Sequence, residues 1–134
     1  MNVFKKPARV SFEKPGITGR IFESIGIAPS AEFFTVETTT GHETTIRQRE
    51  CDFFDYVLEG AGCFIIDGHN QSCTVGDLIA VPHGTWFRYE GTMSLFAASV
   101  PPWRAEQEDT QETQGKQSVE ACGCSRCGGF GVGG

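Results

Sequence analysis

The sequence lacks both a long apolar run and a surplus of positive charge. None of its apolar segments approaches the roughly 20 residues of a membrane-spanning helix, and no apolar signal segment stands at the N-terminus. Lys and Arg number 11 against 17 Asp and Glu, and the net charge of -6 argues against a nucleic-acid-binding surface. We therefore expect no membrane and no nucleic-acid partner, and a cytoplasmic location is the simplest prediction.

The sequence also has little room for long helices, because 17 Gly and 6 Pro are spread over its 134 residues. Between these turn residues lie about eight short segments rich in Phe, Val and Thr, a spacing typical of a β-sandwich or small barrel. A hairpin turn is predicted at Asp67-Gly68. The predicted strands are residues 31–40, 44–49, 53–58, 63–66, 71–75, 78–81, 86–89 and 93–100.

Two of the strand-rich segments carry glycine and proline at a distinctive spacing. The frame consists of Gly41, Gly60, Gly76, Pro82 and Gly84. It resembles the two signature motifs of the cupin superfamily, and the resemblance covers roughly residues 31–100. It implies an all-β fold, a double-stranded β-helix or jelly-roll barrel, here preceded by an N-terminal arm.

The usual metal ligands of that superfamily are missing from the frame. The resemblance places the ligand positions of the first motif on Arg47, Arg49 and Phe53, and the histidine of the second motif on Phe87. Arginine carries only hydrogen-bond donors and stays protonated, and phenylalanine has no lone pair. We therefore expect no metal in the barrel.

Two interior arginines would instead favour an anion. Side chains alternate along a strand, so Arg47 and Arg49 share a face, and the resemblance makes that face the barrel interior. Guanidinium groups match carboxylate or phosphate, and Phe53, Phe87 and Trp86 would provide apolar contact to an organic ligand. These five residues form the predicted site of a small anionic organic molecule. Two alternatives remain open for the arginines: a solvated position at the barrel mouth, or internal salt bridges with Glu43, Glu50, Asp52 and Asp55.

A catalytic function is the second hypothesis. Asp55 has the strand parity of Phe53, Tyr89 has that of Phe87, and His83 lies in the turn at Pro82. Asp55, Tyr89 and His83 are therefore candidate proton carriers. With the arginines stabilising an oxyanion, the chain would be a metal-independent isomerase, epimerase or lyase of a carboxylated or sugar-like substrate.

The composition changes after Pro101-Pro102. We assign residues 1–104 to the barrel with its N-terminal arm, 105–118 to an acidic linker rich in Gln and Glu, and 119–134 to a flexible tail rich in Cys and Gly. The tail carries Cys122, Cys124 and Cys127, whose spacing suits zinc or another soft metal with a fourth ligand from elsewhere. Redox activity and the absence of any role remain open, and a metal- or redox-handling protein acting through this tail is the third functional hypothesis.

A homodimer is expected from the apolar side chains of the predicted strand 63–66. Cys63 and Ile65 point to one face of this strand, and Phe64 and Ile66 point to the other. Both faces are apolar, so one must be covered by the N-terminal arm or by a partner subunit.

Overall fold

The computed structural model describes residues 3–22, 30–41 and 44–112, which form one curled antiparallel sheet of nine strands. A short 3-10 turn, Ala105–Gln107, is the one helical element within these ranges. No helix in these described ranges has the length and apolarity needed to cross a bilayer. The strands are β1 Phe12–Lys14, β2 Ile17–Phe22, β3 Glu32–Thr38, β4 Thr44–Gln48, β5 Asp52–Ile66, β6 His69–Thr74, β7 Leu78–Val81, β8 Phe87–Val100 and β9 Glu108–Glu112. The predicted all-β barrel is confirmed.

The sheet is built around the two longest strands, β5 and β8. They pair from Asp52 opposite Val100 to Ile66 opposite Phe87, with a bulge between Val57 and Glu59. Each combines two predicted strands, because their pairing continues across the glycines that separated those segments in the sequence. At one end β7 pairs with β5 and β3 pairs with β8, while at the other end β6 pairs with β5. The Asp67-Gly68 hairpin is confirmed, since both residues have positive φ between β5 and β6.

The N-terminal arm is part of the sheet. Strands β1 and β2 form a hairpin, and β2 pairs with β3 over its full length from Ile17 to Phe22. The hairpin extends the sheet next to β3, so Phe12 contacts the buried core. The arm thereby forms part of the barrel wall.

The interior is filled by the alternate residues of the central strands. Burial of each large apolar side chain stabilises the fold by about 1.5–3 kcal/mol. Phe64 and Tyr89 pack with ring centroids 4.9 Å apart, and Phe53 and Phe87 pack at 5.6 Å. The largest fully buried apolar side chains are Phe64, Leu95, Val57 and Val81.

One outward-facing surface of the sheet is also apolar. We call it the outer face and define it by two rows of residues paired across strands β2, β3, β8, β5 and β7. The first row is Phe22, Phe33, Ala98, Phe54 and Ala80, and the second is Arg20, Thr35, Phe96, Tyr56 and Leu78. Phe33 stacks on Phe96 with ring centroids 6.3 Å apart. Arg20 is the one charged residue in the two rows.

The interpretation of residues 105–118 as a linker is wrong for its first part. Residues 108–112 form β9, which pairs with β4 from Thr44 opposite Glu112 to Gln48 opposite Glu108. Residues 105–118 hold Ala105 as their one apolar residue, so composition predicts a linker, but strand β9 is held by backbone pairing and by charge. Residues 113–118 and the whole tail lie outside the described residues.

Candidate functional site

A cavity of about 270 Å³ opens between the N-terminal hairpin, the central strands and the segment after β8. This volume lies near the lower end of the roughly 300–1,000 Å³ typical of small-molecule sites. Its deep end is lined by buried residues: Val36, Ile46, Phe53, Asp55, Phe87 and Tyr89. Its open end is lined by more exposed residues: Ser11, Lys14, Glu32, Trp103 and Glu108.

Asp55 is the acid at the deep end. Strand β5 presents its odd-numbered residues here to the interior, so Asp55 shares the inward face with Phe53 and Val57. Burial among these apolar side chains raises the pKa of Asp55 to about 7, because an apolar surrounding disfavours the charged carboxylate. A carboxyl group with this pKa can take up or release a proton near neutral pH.

Tyr89 completes the polar part of the deep end. Burial is the larger cause that raises its pKa well above the usual value, and the charge of Asp55 adds to it. The phenol therefore stays protonated across the neutral range and acts as a hydrogen-bond donor. Phe53 and Phe87 lie on the same cavity wall, as the sequence predicted. The deep end thus combines one titratable carboxyl, one phenol and an aromatic wall.

The open end carries two further carboxylates. The indole Nε1 of Trp103 donates a hydrogen bond of 2.7 Å to Glu108 Oε1. The backbone N–H of Trp103 also bonds Glu32, whose pKa is nevertheless raised because burial is the larger effect. Lys14 is the one cationic residue of the lining. An acidic opening of this kind favours ligands that present hydrogen-bond donors and disfavours anions.

The prediction that Arg47 and Arg49 point into the barrel is wrong. On β4 the inward residues are Ile46 and Gln48, both buried, so the two arginines face outward. Both bind Asp109 on β9: Arg47 Nε and Nη2 donate to Oδ2 at 3.1 and 2.9 Å, and Arg49 Nη1 donates to Oδ1 at 2.9 Å. The physical reason is that Ile46 gains by burial, whereas both guanidinium groups find a carboxylate outside. The acid that pairs them, Asp109, lies in the predicted linker.

Two other candidate residues lie away from the cavity lining. Trp86 lies under the Arg47 guanidinium, whose Cζ is 4.5 Å from the ring centroid, so its predicted place against a barrel ligand is wrong. His83 is exposed, and its Nδ1 lies 2.8 Å from Asp52 Oδ1. This contact is the first cause that lowers the pKa of Asp52. His83 is therefore no proton carrier for the cavity, because its side chain is engaged with Asp52 at the surface.

The residues present do not fit the metal that the cupin motifs usually bind. Arg47 and Arg49 point away from the cavity, and Phe53 and Phe87 offer no lone pair at the other two positions. Within the ranges 3–22, 30–41 and 44–112, no group of three His, Cys, Asp or Glu residues could hold a metal ion. We derive no chemical step through a metal at this site.

Two free cysteines lie in the part of the chain that the structure describes. Cys51 and Cys73 are buried in the core, and burial raises the pKa of each thiol to about 11. Both are therefore unreactive thiols near neutral pH. Cys122, Cys124 and Cys127 lie outside the described residues, so zinc binding by the tail stays a prediction.

Sequence reasoning missed the residues of the open end. Ser11 and Lys14 belong to the arm, and Glu32 lies in the predicted strand 31–40. Trp103 follows the last predicted strand, and Glu108 lies in the predicted linker. Only the position of Glu32 on a strand gave a signal in the sequence. The others reach the cavity through the pairing of β1 with β2 and of β9 with β4, which no local pattern shows.

Comparison with solved structures finds the same fold in several proteins. The chain is similar to Pac13, described as a unique nucleoside dehydratase, with 26% identity and a TM-score of 0.70 over 75% of this chain and 82% of that one. It is also similar to a substituted variant of Streptomyces PAC13 with uridine, with 25% identity and a TM-score of 0.74, over 84% and 93% of the two chains.

More distant similarity shows the fold alone. KdgF from Halomonas sp. matches at 22% identity and a TM-score of 0.61, over 73% of this chain and 89% of that chain. The Cnp3 cupin domain of Schizosaccharomyces pombe matches at 14% identity and a TM-score of 0.55, over 64% and 65%. No protein-family model and no curated protein sequence matches the chain.

Proposed function

The chain has the cupin fold and belongs to that superfamily, and from this premise we propose that its cavity is the active site of a metal-independent lyase or isomerase. The proposed substrate is an uncharged, hydroxyl-bearing organic molecule of nucleoside size. The observation that carries the proposal is Asp55, an acid buried in an aromatic cavity with its pKa raised to about 7. Such a group is matched to proton transfer at neutral pH.

Asp55 and Tyr89 divide the chemistry between them. Ionised Asp55 removes a proton from a carbon next to a carbonyl group, and the bond electrons move onto the carbonyl oxygen. The phenol of Tyr89, which stays protonated, donates a hydrogen bond to that oxygen as its charge develops. Asp55 then gives the proton to a β-hydroxyl, which leaves as water while the enolate re-forms the carbonyl, and this is elimination; return of the proton to the opposite face of the same carbon is epimerisation.

The class of substrate follows from the lining of the cavity. Its walls are apolar and largely aromatic, and its acidic side chains are Asp55, Glu32 and Glu108 against the one cation Lys14. Anions are disfavoured here, so the small anionic ligand expected from the sequence has no support once Arg47 and Arg49 lie outside. The likeness to Pac13 with uridine supports a nucleoside-sized substrate.

The test is a direct assay of proton transfer. The full-length protein is incubated in D₂O with uridine and with carbonyl-bearing oxidised nucleosides and sugars, and solvent deuterium in the carbon framework and loss of water are followed by NMR and mass spectrometry. We expect exchange or dehydration of at least one oxidised compound, with kcat/KM rising as pH passes through about 7. Asp55→Asn should lower the rate by about 10²–10⁴-fold. A rate unchanged in this variant would refute the proposal.

Tyr89→Phe separates the two roles. We expect the variant to bind its substrate and to lose rate by up to about 10²–10³-fold, as for removal of one oxyanion donor. Leu78→Ala is the matched control, because Leu78 is exposed on the outer face and does not line the cavity. An equal loss in the control would show that the effect is not specific to the site.

A further inference from the structure

The segment that closes the open end is held by a charge cluster with no part in the chemistry above. We call residues 103–112 the C-terminal strap. It places Trp103 and Glu108 in the cavity wall, and the indole of Trp103 donates to Glu108. Nothing in the sequence motifs assigns a role to this segment.

The strap is joined to the barrel through a single strand pair. Strand β9 pairs with β4, and in the described part β4 is paired with β8 only at Ile46 opposite Phe87. Backbone contacts add to this: Arg49 N–H donates to Gln107 O at 2.9 Å, and Gln48 Nε2 donates to Arg104 O at 3.1 Å. The position of β9 within the strap therefore depends on β4.

Apolar burial does not fix the register between β4 and β9. The strand reads Glu108-Asp-Thr-Gln-Glu112 and contains no apolar residue. Register is weakly specified in strands that are polar on both faces, and a slip of one residue exchanges their two faces. Here a slip would turn Glu108 outward and bring Asp109 to the cavity side.

Ion pairs of Asp109 fix the register between β4 and β9 instead. Asp109 lies directly opposite Arg47 in the strand pair and receives two hydrogen bonds from it on Oδ2. Its Oδ1 accepts from Arg49, whose Nη2 also donates to the backbone oxygen of Glu106. Arg47 is further held over the Trp86 ring. Both carboxylate oxygens are thus fixed, and one register satisfies the two arginines together.

We infer that Asp109 is a positioning residue that sets the register of the strap and thereby holds Glu108 at the open end as the residue that selects the substrate. Glu108, with Glu32 across the opening, accepts hydrogen bonds from hydroxyl or N–H groups of the bound molecule and repels phosphate or carboxylate. The selected class is an uncharged, donor-rich molecule, and its 5′-phosphate is rejected. The selection of the ligand class by Glu108 rests on the proposed function, whereas the role of Asp109 in setting the register does not.

The register is tested on the free protein by NMR of the tryptophan side chains. The chain has 2 Trp, so two indole N–H signals are expected, and Trp103→Phe assigns them. Glu108→Gln gives the position of the Trp103 signal when its carboxylate partner is lost. We expect Asp109→Asn to move this signal toward the same position and to speed amide exchange in residues 108–112.

Two variants make the test specific. Asp109→Glu keeps the carboxylate and should restore the indole signal to near its original position. Glu106→Gln is the matched control, because it breaks the exposed pair with Arg104 on the same strap and leaves Asp109 untouched. An indole signal and amide exchange unchanged in Asp109→Asn, or changed equally in Glu106→Gln, would overturn the inference.

Ligand selection is tested with uridine and uridine 5′-monophosphate as probes. We expect the intact protein to favour uridine, and Asp109→Asn to weaken uridine binding by about two- to tenfold, the value of one hydrogen bond. The preference over the monophosphate should fall with it and return in Asp109→Glu. If the indole signal responds but uridine does not bind, the positioning role of Asp109 stands and the proposed substrate class is wrong. If uridine binds equally in all variants, Glu108 does not select the ligand.

Discussion

A single buried acid gives the protein an unusual dependence of stability on pH. The pKa of Asp55 is about 7 in the folded chain and near 3.8 when exposed, so the folded state binds the proton more tightly. The contribution of protonated Asp55 to the free energy of unfolding is fully present below about pH 4. It is lost as pH rises, and the free energy of unfolding stops falling above about pH 7. The difference of about three pKa units corresponds to about 4 kcal/mol.

Asp55→Asn should remove this dependence. The amide has a similar shape and no charge, so we expect the variant to match the unmodified protein near pH 4 and to unfold at higher denaturant concentration at pH 8. Urea unfolding of both proteins from pH 4 to pH 8 measures the effect. Parallel curves over that range would show that Asp55 is not the group responsible.

The same scale shows what the sequence could and could not reveal about the site. The sequence correctly predicts four residues of the cavity lining: Phe53, Phe87, Asp55 and Tyr89. Side chains alternate regularly along β5 and β8 at these positions, so Asp55 shares a face with Phe53, and Tyr89 shares a face with Phe87. The orientations of Arg47 and its neighbour were predicted wrongly, because the side of β4 that faces inward is decided by tertiary contacts. An acid 62 residues away along the chain pairs with Arg47, and no local pattern reveals it.

At the scale of elements, the glycine frame predicts the backbone conformation of the fold but does not predict the chemistry of the site. Four of its glycines have positive φ: 95° at Gly41, 84° at Gly60, 94° at Gly76 and 81° at Gly84. Residues with a side chain rarely adopt this region. The fold was therefore readable from the sequence even though the metal ligands within the same motifs are replaced.

A fifth glycine tests how closely the central strands approach each other. Gly91 on β8 has φ of 118°, and an added Cβ would lie 2.6 Å from the Cα of Gly62 and 2.8 Å from the oxygen of Ala61. We expect Gly91→Ala to lower the free energy of unfolding by about 3 kcal/mol or more, from strain and overlap together. Gly84→Ala is the control, with positive φ but no atom within 4 Å, and should cost about 1 kcal/mol. Equal losses in urea unfolding would contradict the close approach.

Strand β9 is a strand that the sequence pattern does not predict. A strand is recognised by alternating apolar residues, and Glu108–Glu112 has none. Its order comes from backbone pairing with β4 and from Asp109, both of them tertiary effects. Composition alone therefore assigned the segment to a linker.

At the scale of the whole molecule, the outer face is the surface that the sequence misplaced. The homodimer was expected from the strand around Cys63 and Phe64, but both of these residues are fully buried. Exposed apolar side chains lie instead on the outer face, with Tyr56 at 42% and Leu78 at 63% exposure. The outer face spans five strands that lie about 4.8 Å apart. Together with the residues beside its two rows, its apolar centre has an area of roughly 400 Å². With a polar rim this approaches the roughly 800 Å² per partner of a stable interface.

We propose that a second copy of the chain covers this face. Arg20, the charged residue of the second row, pairs with Glu37 of the same chain at 3.7 Å, so its charge is already balanced on this surface. A twofold arrangement sets the apolar centre of one outer face against that of the second copy.

Sedimentation velocity at about 50 µM, where a micromolar interface is mostly occupied, tests the arrangement. We expect a dimer that Phe96→Glu converts to a monomer, because a charge enters the centre of the face. Val75→Glu is the matched control, since Val75 is exposed but lies outside the two rows. A monomeric unmodified protein, or a Phe96→Glu variant that remains dimeric, would exclude this interface.

The strap has a consequence for how the protein is made in the cell. The ribosome releases the chain from its N-terminus at about 5–20 residues per second. Strands β2 to β8 therefore become available before residues 103–112, which complete the wall beside Phe53 and Phe87. For about a second or two the nascent barrel has its aromatic interior open on one side. That interval is when a chaperone that binds aromatic surface would engage the nascent chain.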